Sequence, residues 1–473
     1  MHRHRHSHRH RHRRIKLLGL AVALMSVMAV PSAAWADGDN RANVGNRAHG
    51  DSGDNGSEFH APSEAESPES LSEAETEASS PAPLSAGAPA APVTTGAIFN
   101  DPAGTPAQRD RIRNHVVSLV GGAAAGSSIT LSLYTFTDDS VREALIAAKE
   151  RGVAVRAILD YKSHTTVTAG GEYENLAAGL GTDRNAPSWV MSCPSTRSCV
   201  GNRAIGSRAI NHNKFFLFSR TGGVDNVVVQ TSANMTGVQR TDLFNNAVTI
   251  ADPGLYDNYA AYFDDQLRYG ASGAGLATYY RTPSSATDPA YKTYFFPRRE
   301  TSGTDYRKDP ATDTVKLILD KVACSSTRRS EVRMAANLFY RDQIASKLVA
   351  MKNAGCLVYL AGDGNPNGGG VGVPSLGRTV TSIVSGKLTQ RVECWEDPPT
   401  SGAPKIGLHS KYLLVEGTYD GVADQKIVWT GSHNYSWQAL RSNDETLLKI
   451  DNGAIHDQYR ANHGHLMRYC AGT

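Results

Sequence analysis

Two pairs of histidine and lysine, each with one residue between them, are the residues of this chain best suited to chemistry. The pairs are His212 with Lys214 and His409 with Lys411, and each introduces an apolar run. The period of two in a buried strand would place the imidazole and the ammonium on the same face. A titratable nitrogen beside a positive charge suits chemistry on an anion. One such pair would more often be a core histidine beside a surface lysine, so its repetition matters.

Each pair is followed by a second apolar strand that ends in a serine and an asparagine. These residues are Ser232 and Asn234 after the first pair, and Ser432 and Asn434 after the second. The two histidines are 197 residues apart, as are the two lysines, while the two serines and the two asparagines are 200 residues apart. The agreement between these offsets indicates an internal duplication. The hydroxyl and carboxamide groups would offer neutral donors to phosphate oxygens.

With this doubled motif the chain resembles the phospholipase D superfamily, whose signature is HxKxxxxD followed by GSxxN or GSxN, present twice. The resemblance covers roughly residues 96–473. It implies an N-terminal half, residues 96–285, and a C-terminal half, residues 286–473, with the active site between them. It also implies a two-step reaction, in which one histidine becomes a phosphohistidine and the other protonates the leaving group. No metal and no other cofactor is expected.

The resemblance also assigns roles to individual residues. Lys214 and Lys411 would hold the non-bridging oxygens of a phosphodiester, and the serines and asparagines would complete the phosphate cradle. The predicted catalytic residues are His212, Lys214, His409, Lys411 and Glu445, and the predicted phosphate-binding residues are Ser232, Asn234, Ser432 and Asn434.

The two halves differ in their acidic residues. The acid that ends the family's HxKxxxxD motif is Glu416 in the second copy but Ser219 in the first. A second family acid accepts a hydrogen bond from the motif histidine, and it corresponds to Glu445 in the second half. In the first half the equivalent residue is an amide, Asn245. Two departures in one half put a symmetric site in doubt.

This difference predicts the roles of the two histidines. A carboxylate favours the protonated form of the imidazole that it contacts. We expect Glu445, supported by Glu416, to lie behind His409, which makes His409 the general acid and His212 the nucleophile. Asp242 is a nearby acid that could serve His212. The order agrees with the family resemblance, in which the motif nearer the N-terminus supplies the nucleophile.

The elements around the motifs repeat as well. Residues 129–134 predict a strand, a helical stripe begins at Val141 and stops at Gly152, and residues 153–159 predict another strand. The same order recurs in residues 332–338, the stripe from Ile344 to Gly355, and residues 357–360. We therefore predict an α/β fold in which each half is a parallel or mixed sheet flanked by helices.

Two segments allow more than one interpretation. The aromatic residues within 270–300 would suit a membrane-inserting loop, but residues 294–296 occupy the place of 97–99 and are better interpreted as the opening strand of the second half. Residues 363–372 contain five glycines without the GxxxxGK[ST] pattern. They predict a mobile loop near the site and not a nucleotide cradle.

The N-terminal segments indicate export. Residues 1–36 combine a basic start with an apolar run and are interpreted as a signal peptide, which predicts a secreted protein. Residues 37–95 are rich in Ser, Ala, Pro and Glu and predict a disordered linker. Residues 96–473 hold 40 basic and 35 acidic residues, a net charge of +5. This charge suits a phosphate-bearing substrate but does not distinguish a lipid from a polynucleotide.

Six cysteines in an exported chain predict disulfides. Cys193 and Cys199 are close enough in sequence to form one. The other four cysteines allow three connectivities and are Cys324, Cys356, Cys394 and Cys470. His463 and His465 are interpreted as packing or surface residues, because no set of metal ligands accompanies them.

Three hypotheses about function follow. The first is a secreted phospholipase D-type hydrolase that acts as a monomer on phospholipids at a membrane surface, with transfer to an alcohol as a possible second outcome. The second is a nuclease or other phosphodiesterase on the same scaffold. The third is a weakened phosphate-binding protein, which Ser219 and Asn245 would motivate, although both histidine–lysine pairs are intact.

Overall fold

A computed structural model of the chain describes residues 93–164, 172–281, 290–327, 329–399 and 402–472. The predicted signal peptide and all but the last residues of the predicted linker lie outside the described residues. The predicted boundary between the halves, at residues 285 and 286, lies outside them too.

The first half is a seven-stranded mixed sheet with helices on its faces. Its strand order is β1-β8-β6-β5-β2-β3-β4, in which β2, β3 and β4 are parallel and the remaining pairs are antiparallel. The elements in chain order are β1 (Gly96–Phe99), α1 (Pro106–Arg109), α2 (Arg111–Gly121), β2 (Ser128–Leu133), α3 (Asp139–Glu150), β3 (Ala154–Leu159), α4 (Glu172–Leu180), β4 (Trp189–Ser192), β5 (Lys214–Thr221), β6 (Val224–Thr231), α5 (Gly237–Thr241), β7 (Leu243–Phe244), β8 (Asn246–Ala251) and α6 (Pro253–Ser272).

The second half repeats this architecture. Its sheet has the order β9-β16-β15-β14-β10-β11-β12, which matches the first sheet strand for strand. The elements are β9 (Tyr291–Phe295), α7 (Thr314–Asp320), β10 (Glu331–Ala336), α8 (Asp342–Asn353), β11 (Leu357–Asp363), α9 (Arg378–Val384), β12 (Gln390–Cys394), β13 (Gly407–Leu408), β14 (Tyr412–Tyr419), β15 (Val422–Gly431), α10 (Trp437–Arg441), β16 (Thr446–Asp451) and α11 (Gly453–Tyr469). The predicted α/β fold with two mixed sheets is confirmed, and β9 is the predicted opening strand.

The repeated strand–helix–strand unit forms for reasons visible in its sequence. The stripe of Val141, Leu145 and Ala148 is buried on α3, whose N-terminus is capped by Asp138. In α8 the equivalent helix ends before Gly355, which has φ +103°. A Cβ on Gly355 would lie 2.9 Å from the backbone of Ser325, so only glycine fits this close approach.

The two halves share one apolar core. Helix α6 packs against β6 and against β9 of the other half, and α11 packs against β15 and β1. Phe295 stacks on Tyr262 at 4.0 Å between ring centroids, and Phe99 meets Tyr459 edge-on at 5.1 Å. The shared core includes Phe215, Leu217, Val228 and Tyr259 from the first half and Tyr412, Leu414, Val428 and Leu466 from the second.

The six cysteines form three disulfides. Cys193–Cys199 agrees with the prediction. The connectivity that the sequence left open is Cys324–Cys356 and Cys394–Cys470. Among the helices of the described residues, none combines the length and the apolar character needed to cross a membrane.

Candidate active site

The two motif histidines lie where the backbones of the halves cross. Strand β13 pairs in parallel with β7 of the other half, and the His409 N–H donates to the Phe244 carbonyl at 2.9 Å. The His212 N–H donates in the same way to the Asp444 carbonyl at 3.0 Å. Each histidine is therefore held by the backbone of the opposite half.

The motif histidines precede the strands, and the motif lysines lie at the strand starts. Lys214 is the first residue of β5, and Lys411 immediately precedes β14. Both histidines come before these strands, so the prediction of a motif within a buried strand is wrong in its placement. Burial is nevertheless nearly complete, because His212 is 1% exposed and His409 4% exposed, with both lysines buried as deeply.

The carboxylate and the amide contact the opposite half's histidine. Glu445 Oε1 lies 2.9 Å from His212 Nδ1, while Asn245 Oδ1 lies 3.0 Å from His409 Nδ1. The expectation that Glu445 lies behind His409 is therefore wrong. The reason is the backbone crossing: the Asp444 carbonyl binds the His212 N–H, so the next residue, Glu445, is placed against that ring.

The other acids considered from the sequence lie elsewhere. Glu416 is partly exposed, pairs with Arg460 at 3.2 Å and lies opposite Glu331 in the sheet, so its predicted support of His409 is also wrong. Ser219 accepts the Ser128 N–H at 2.8 Å. Asp242, the alternative acid for His212, uses its backbone carbonyl to bind the Gly407 N–H. Glu445 fills that role.

The motif serines hold the residues that contact the histidines. Ser232 Oγ donates to Asn245 Oδ1 at 2.9 Å and accepts the Asn246 N–H at 3.0 Å. Ser432 Oγ donates to Glu445 Oε2 and accepts the Thr446 N–H at 3.0 Å. These contacts position the amide and the carboxylate. Direct binding of phosphate by either serine stays a prediction.

The lysines and motif asparagines have different surroundings in the two halves. Lys214 Nζ donates to the His212 carbonyl at 3.0 Å and lies 5.4 Å from the centre of the Tyr134 ring. Lys411 Nζ donates to His409 Nε2 at 2.8 Å. Asn434 Oδ1 accepts the Leu338 N–H at 3.3 Å, and its counterpart Asn234 is buried as well. Their phosphate-binding roles stay predictions.

The hydrogen bonds of Asn245 determine the tautomer of His409. Its Nδ2 donates to the carbonyls of Gln239 and Leu243, at 3.0 and 3.1 Å, so Oδ1 faces the ring. His409 Nδ1 must then carry the proton, and Nε2 accepts from Lys411. Burial, followed by the charges of Lys411 and Lys214, holds the pKa of His409 well below its usual range.

Two buried aspartates at the site were missed by sequence reasoning. Asp160 Oδ2 accepts the Asn211 N–H at 2.8 Å, and Asp363 Oδ1 accepts the Leu408 N–H at 2.9 Å. Each carboxylate thus holds the residue just before a motif histidine. Burial raises the pKa of Asp363 to about 6. Asp363 is the last residue of β11 and Asp160 directly follows β3, the equivalent strand, and this shared position was the signal in the sequence.

A third missed acid, Asp444, joins the halves. Its side chain accepts from Ser198 Oγ and the Gly201 N–H, both at 2.7 Å, and from the Val200 N–H at 2.9 Å. Burial raises its pKa to about 7. The segment closed by the Cys193–Cys199 disulfide is therefore anchored on the second half.

The remaining histidines near the site have structural partners. His433 accepts from Arg341 at 3.1 Å and stacks on Phe296. His463 packs in the core, 3.2 Å from the Met334 carbonyl, and His465 is partly exposed, as expected from the sequence. Within the described ranges no group of three or more His, Cys, Asp or Glu residues has the arrangement of a metal site.

This geometry can bind and transform an anion. Two ammonium groups and two imidazoles lie in one buried site assembled from both halves. The ring of His212 has its Nδ1 at a carboxylate, so its Nε2 can act toward an electrophile. The ring of His409 offers an Nε2 that can take up and release a proton.

Comparison with protein-family models matches residues 123–267 and residues 323–467, each to the model described as cardiolipin synthase, PLD-like domain. Each matched segment holds one histidine–lysine pair. Comparison with curated protein sequences gives no match.

Solved structures with a similar fold include a phosphatidylserine synthase from Haemophilus influenzae Rd KW20. It has a TM-score of 0.52 and 13% identity, over 79% of this chain and 86% of that one. A polyphosphate kinase from Porphyromonas gingivalis has a TM-score of 0.47 and 12% identity over 79% of this chain, which spans 50% of the kinase. The phospholipase D family member Nuc from Salmonella typhimurium has a TM-score of 0.26 and 22% identity, over 37% of this chain and 95% of Nuc. At 13% identity the similarity to the phosphatidylserine synthase concerns the fold alone.

Proposed function

This chain belongs to the PLD-like domain family and carries the domain twice, and from that premise we propose that it cleaves the head-group phosphodiester of phospholipids through a phosphohistidine. The observation that carries the proposal is the pair of buried histidines at the crossing of the halves, one backed by Glu445 and the other held by Lys411. The description of the matched family as cardiolipin synthase favours a lipid substrate.

In the first step His212 Nε2 attacks phosphorus, a nitrogen–phosphorus bond forms, and the bond to the head-group oxygen breaks. Glu445 accepts from Nδ1–H and offsets the positive charge that the ring acquires. The sequence-based reason for making His409 the acid, a carboxylate behind its ring, does not hold, because Asn245 occupies that place. The assignment rests instead on Glu445 supporting the attack by His212, which leaves His409 as the other imidazole of the site to protonate the leaving oxygen.

In the second step His409 Nε2 takes a proton from water as the water oxygen attacks phosphorus. The nitrogen–phosphorus bond breaks and His212 is regenerated. An alcohol in place of water would give transfer of the phosphatidyl group. Lys214 and Lys411 neutralise the non-bridging oxygens in both steps.

Protonation of His409 needs the substrate. In the free protein its pKa is lowered by burial and by Lys411 and Lys214. A bound phosphodiester anion would offset these two positive charges and raise the pKa of the ring. The proton donor would therefore form together with the bound complex.

To test this, purified protein is incubated in EDTA with phosphatidylcholine vesicles and, in parallel, with plasmid DNA. The variants His212→Ala and His409→Ala serve as controls. We expect choline release by the unchanged protein only, and no requirement for a divalent ion. DNA nicking without choline release would favour a nuclease instead. Absence of both activities would favour a phosphate-binding protein, and activity restored by a metal would contradict the two-histidine mechanism.

We also propose that the protein is secreted. The three disulfides of the described residues suit an oxidising compartment, and residues 1–36 have the pattern of a signal peptide. Sequencing the N-terminus of protein recovered from the culture medium tests this. Processing after Ala36 is the expected result, and retention of the chain in the cytoplasm would contradict it.

A further inference from the structure

Asn245 replaces, in the first half, the carboxylate that the second half carries at the same position. Both side chains accept from the motif serine of their own half and contact the histidine of the other half. The difference between them is a negative charge. His212 therefore contacts a carboxylate while His409 contacts a neutral amide.

The orientation of the Asn245 amide is determined by its surroundings. Its Nδ2 points at two backbone carbonyls, those of Gln239 and Leu243, and a flipped amide would place its oxygen against both. The amide oxygen therefore accepts from His409 Nδ1–H and leaves Nε2 without a proton of its own. Lys411 Nζ, at 2.8 Å, donates to that Nε2.

The charged groups that face His409 oppose a positive charge on its ring, whereas a backbone hydrogen bond with Ser232 favours it. These charged groups are Lys411, two residues further on, and Lys214 and His212 from the opposite half. The buried carboxylate of Asp363, in the same half, binds the Leu408 N–H and Ser375 Oγ, and Glu445 binds His212 and Ser432. A neutral Asn245 adds no charge that would counter the two lysines.

We propose that Asn245 is a positioning residue that holds His409 as the neutral Nδ1–H tautomer in the free protein, so that Nε2 gains a proton from solvent only when an oxyanion draws Lys411 away. The inference deepens the proposed function, on which its catalytic meaning rests. Binding of a tetrahedral oxyanion is then accompanied by uptake of a proton from water. His409 becomes able to donate a proton only when the site is occupied.

The first measurement uses sulfate, which does not titrate near neutral pH. Calorimetry at pH 7 in buffers of different ionisation enthalpy should give uptake of up to one proton for each sulfate bound by the unchanged protein. Asn245→Asp puts a carboxylate at His409 Nδ1 and raises the pKa of the ring, so part of the proton should be bound before sulfate and the uptake should fall. Equal uptake by both proteins, or none by the unchanged protein, would overturn the proposal.

The matched control is Asn246→Asp, the neighbouring buried amide. Asn246 Nδ2 donates to Thr430 Oγ1 at 2.8 Å and to Tyr459 Oη at 2.9 Å, and the residue lies outside the proposed machinery. It places a carboxylate at similar depth without contacting His409. Proton uptake in this variant should stay close to that of the unchanged protein, and a loss as large as in Asn245→Asp would contradict a specific role for Asn245.

A second measurement needs neither a variant nor turnover. In free protein labelled with ¹⁵N-histidine, at pH 7, the His409 signal should show a protonated Nδ1 and an unprotonated Nε2. A proton on Nε2 would overturn the proposal even if the protein proves not to be an enzyme. If the protein turns over phospholipid, Asn245→Asp should move the alkaline limb of the kcat/KM profile to higher pH. If the proposed function fails, turnover will be absent while the proton uptake on sulfate binding remains.

Discussion

Glu445 and Asn245 distinguish two histidines that are otherwise closely matched. Both rings are buried, both have a lysine two residues further on, and both donate from Nδ1 to an oxygen of the opposite half. A carboxylate at one Nδ1 stabilises the positive charge that phosphorylation creates on that ring. In the proposed mechanism this charge helps to separate the nucleophile from the proton donor.

The assigned roles predict how each histidine responds to the leaving group. A p-nitrophenyl phosphodiester needs little protonation as it departs, so His409→Ala should keep a substantial part of its rate of phosphoryl-enzyme formation. His212→Ala should form no phosphoryl-enzyme. Acid-quench mass spectrometry measures both. A phosphate trapped on His409 in the unchanged protein would reverse the assignment.

The residue types of the site could be predicted from the sequence, but their partners could not. The duplicated offsets identify His212, His409, both lysines and the Glu445–Asn245 difference. Which ring the carboxylate contacts depends on two backbones crossing between residues more than 200 positions apart, as the 233-residue separation of His212 and Glu445 illustrates. No local pattern records such a crossing.

At the scale of elements, the strand–helix–strand units were predictable because apolar periodicity and a glycine stop repeat in both halves. The two-residue strands β7 and β13 were not, because their pairing is between halves and their length carries no periodicity. The loop after β11 was predicted as a loop. Asp363 ties it to the site through Ser375, and its mobility stays a prediction.

The anchor between Asp444 and the Cys193–Cys199 segment should matter for stability and for rate. An amide can accept at only one of the two positions where Asp444 accepts, so Asp444→Asn should lower the free energy of unfolding by about 2–4 kcal/mol. It should also lower kcat, because the Asp444 carbonyl holds the His212 N–H.

Urea unfolding and steady-state kinetics measure these effects of Asp444→Asn. The control is Asp457→Asn, which removes an exposed ion pair with Lys426 and should change stability by less than about 1 kcal/mol. Equal effects of the two variants would contradict a special role for the anchor.

The disulfides should differ in their contribution to stability. The Cys394–Cys470 bond closes 76 residues and ties β12 to the end of α11, whereas Cys193–Cys199 closes 6. Each disulfide restricts the unfolded chain. Replacing both cysteines by serine should therefore lower the free energy of unfolding by about 4 kcal/mol for Cys394–Cys470 and by about 2 kcal/mol for Cys193–Cys199. Urea midpoints compare them, and the reverse order would show that native contacts dominate.

At the scale of the whole molecule, buried titratable groups predict a stability that rises with pH. Burial lowers the pKa of His115 to about 4 and of His463 to about 3, and lowers those of His409 and His433 well below 6.5. These histidines gain protons only on unfolding, so stability falls as pH drops through 6.5. Four acids whose pKa values are raised by burial act in the opposite direction, Asp363 and Asp444 most strongly, together with Asp242 and Glu172.

The melting temperature should therefore be lower at pH 5.5 than at pH 7.5, by scanning calorimetry. The net difference of roughly two protons corresponds to about 3 kcal/mol per pH unit at most. His463→Gln should reduce the difference between the two pH values. An equal or higher melting temperature at pH 5.5 would contradict the prediction.

The shared core also predicts that one chain builds one complete site. A mixture of His212→Ala and His409→Ala should therefore remain inactive on phospholipid. The two halves of one chain would have to separate to form a site with another chain, and this would expose the apolar surface of α6 and α11. Choline release after mixing would indicate an exchanged dimer, and light scattering would then show a dimeric mass.

The crossing of β7 with β13 has a consequence for how this duplicated chain can evolve. A substitution at residue 245 or 445 changes the surroundings of the histidine in the other half. The two halves therefore cannot evolve independently of each other. The amide at residue 245, where the second half has an acid, determines the surroundings of His409, which lies 164 positions further along the chain. A chimaera assembled from two relatives would pair one parent's imidazole with the other parent's acid or amide, and its ancestry would be mixed within the active site itself.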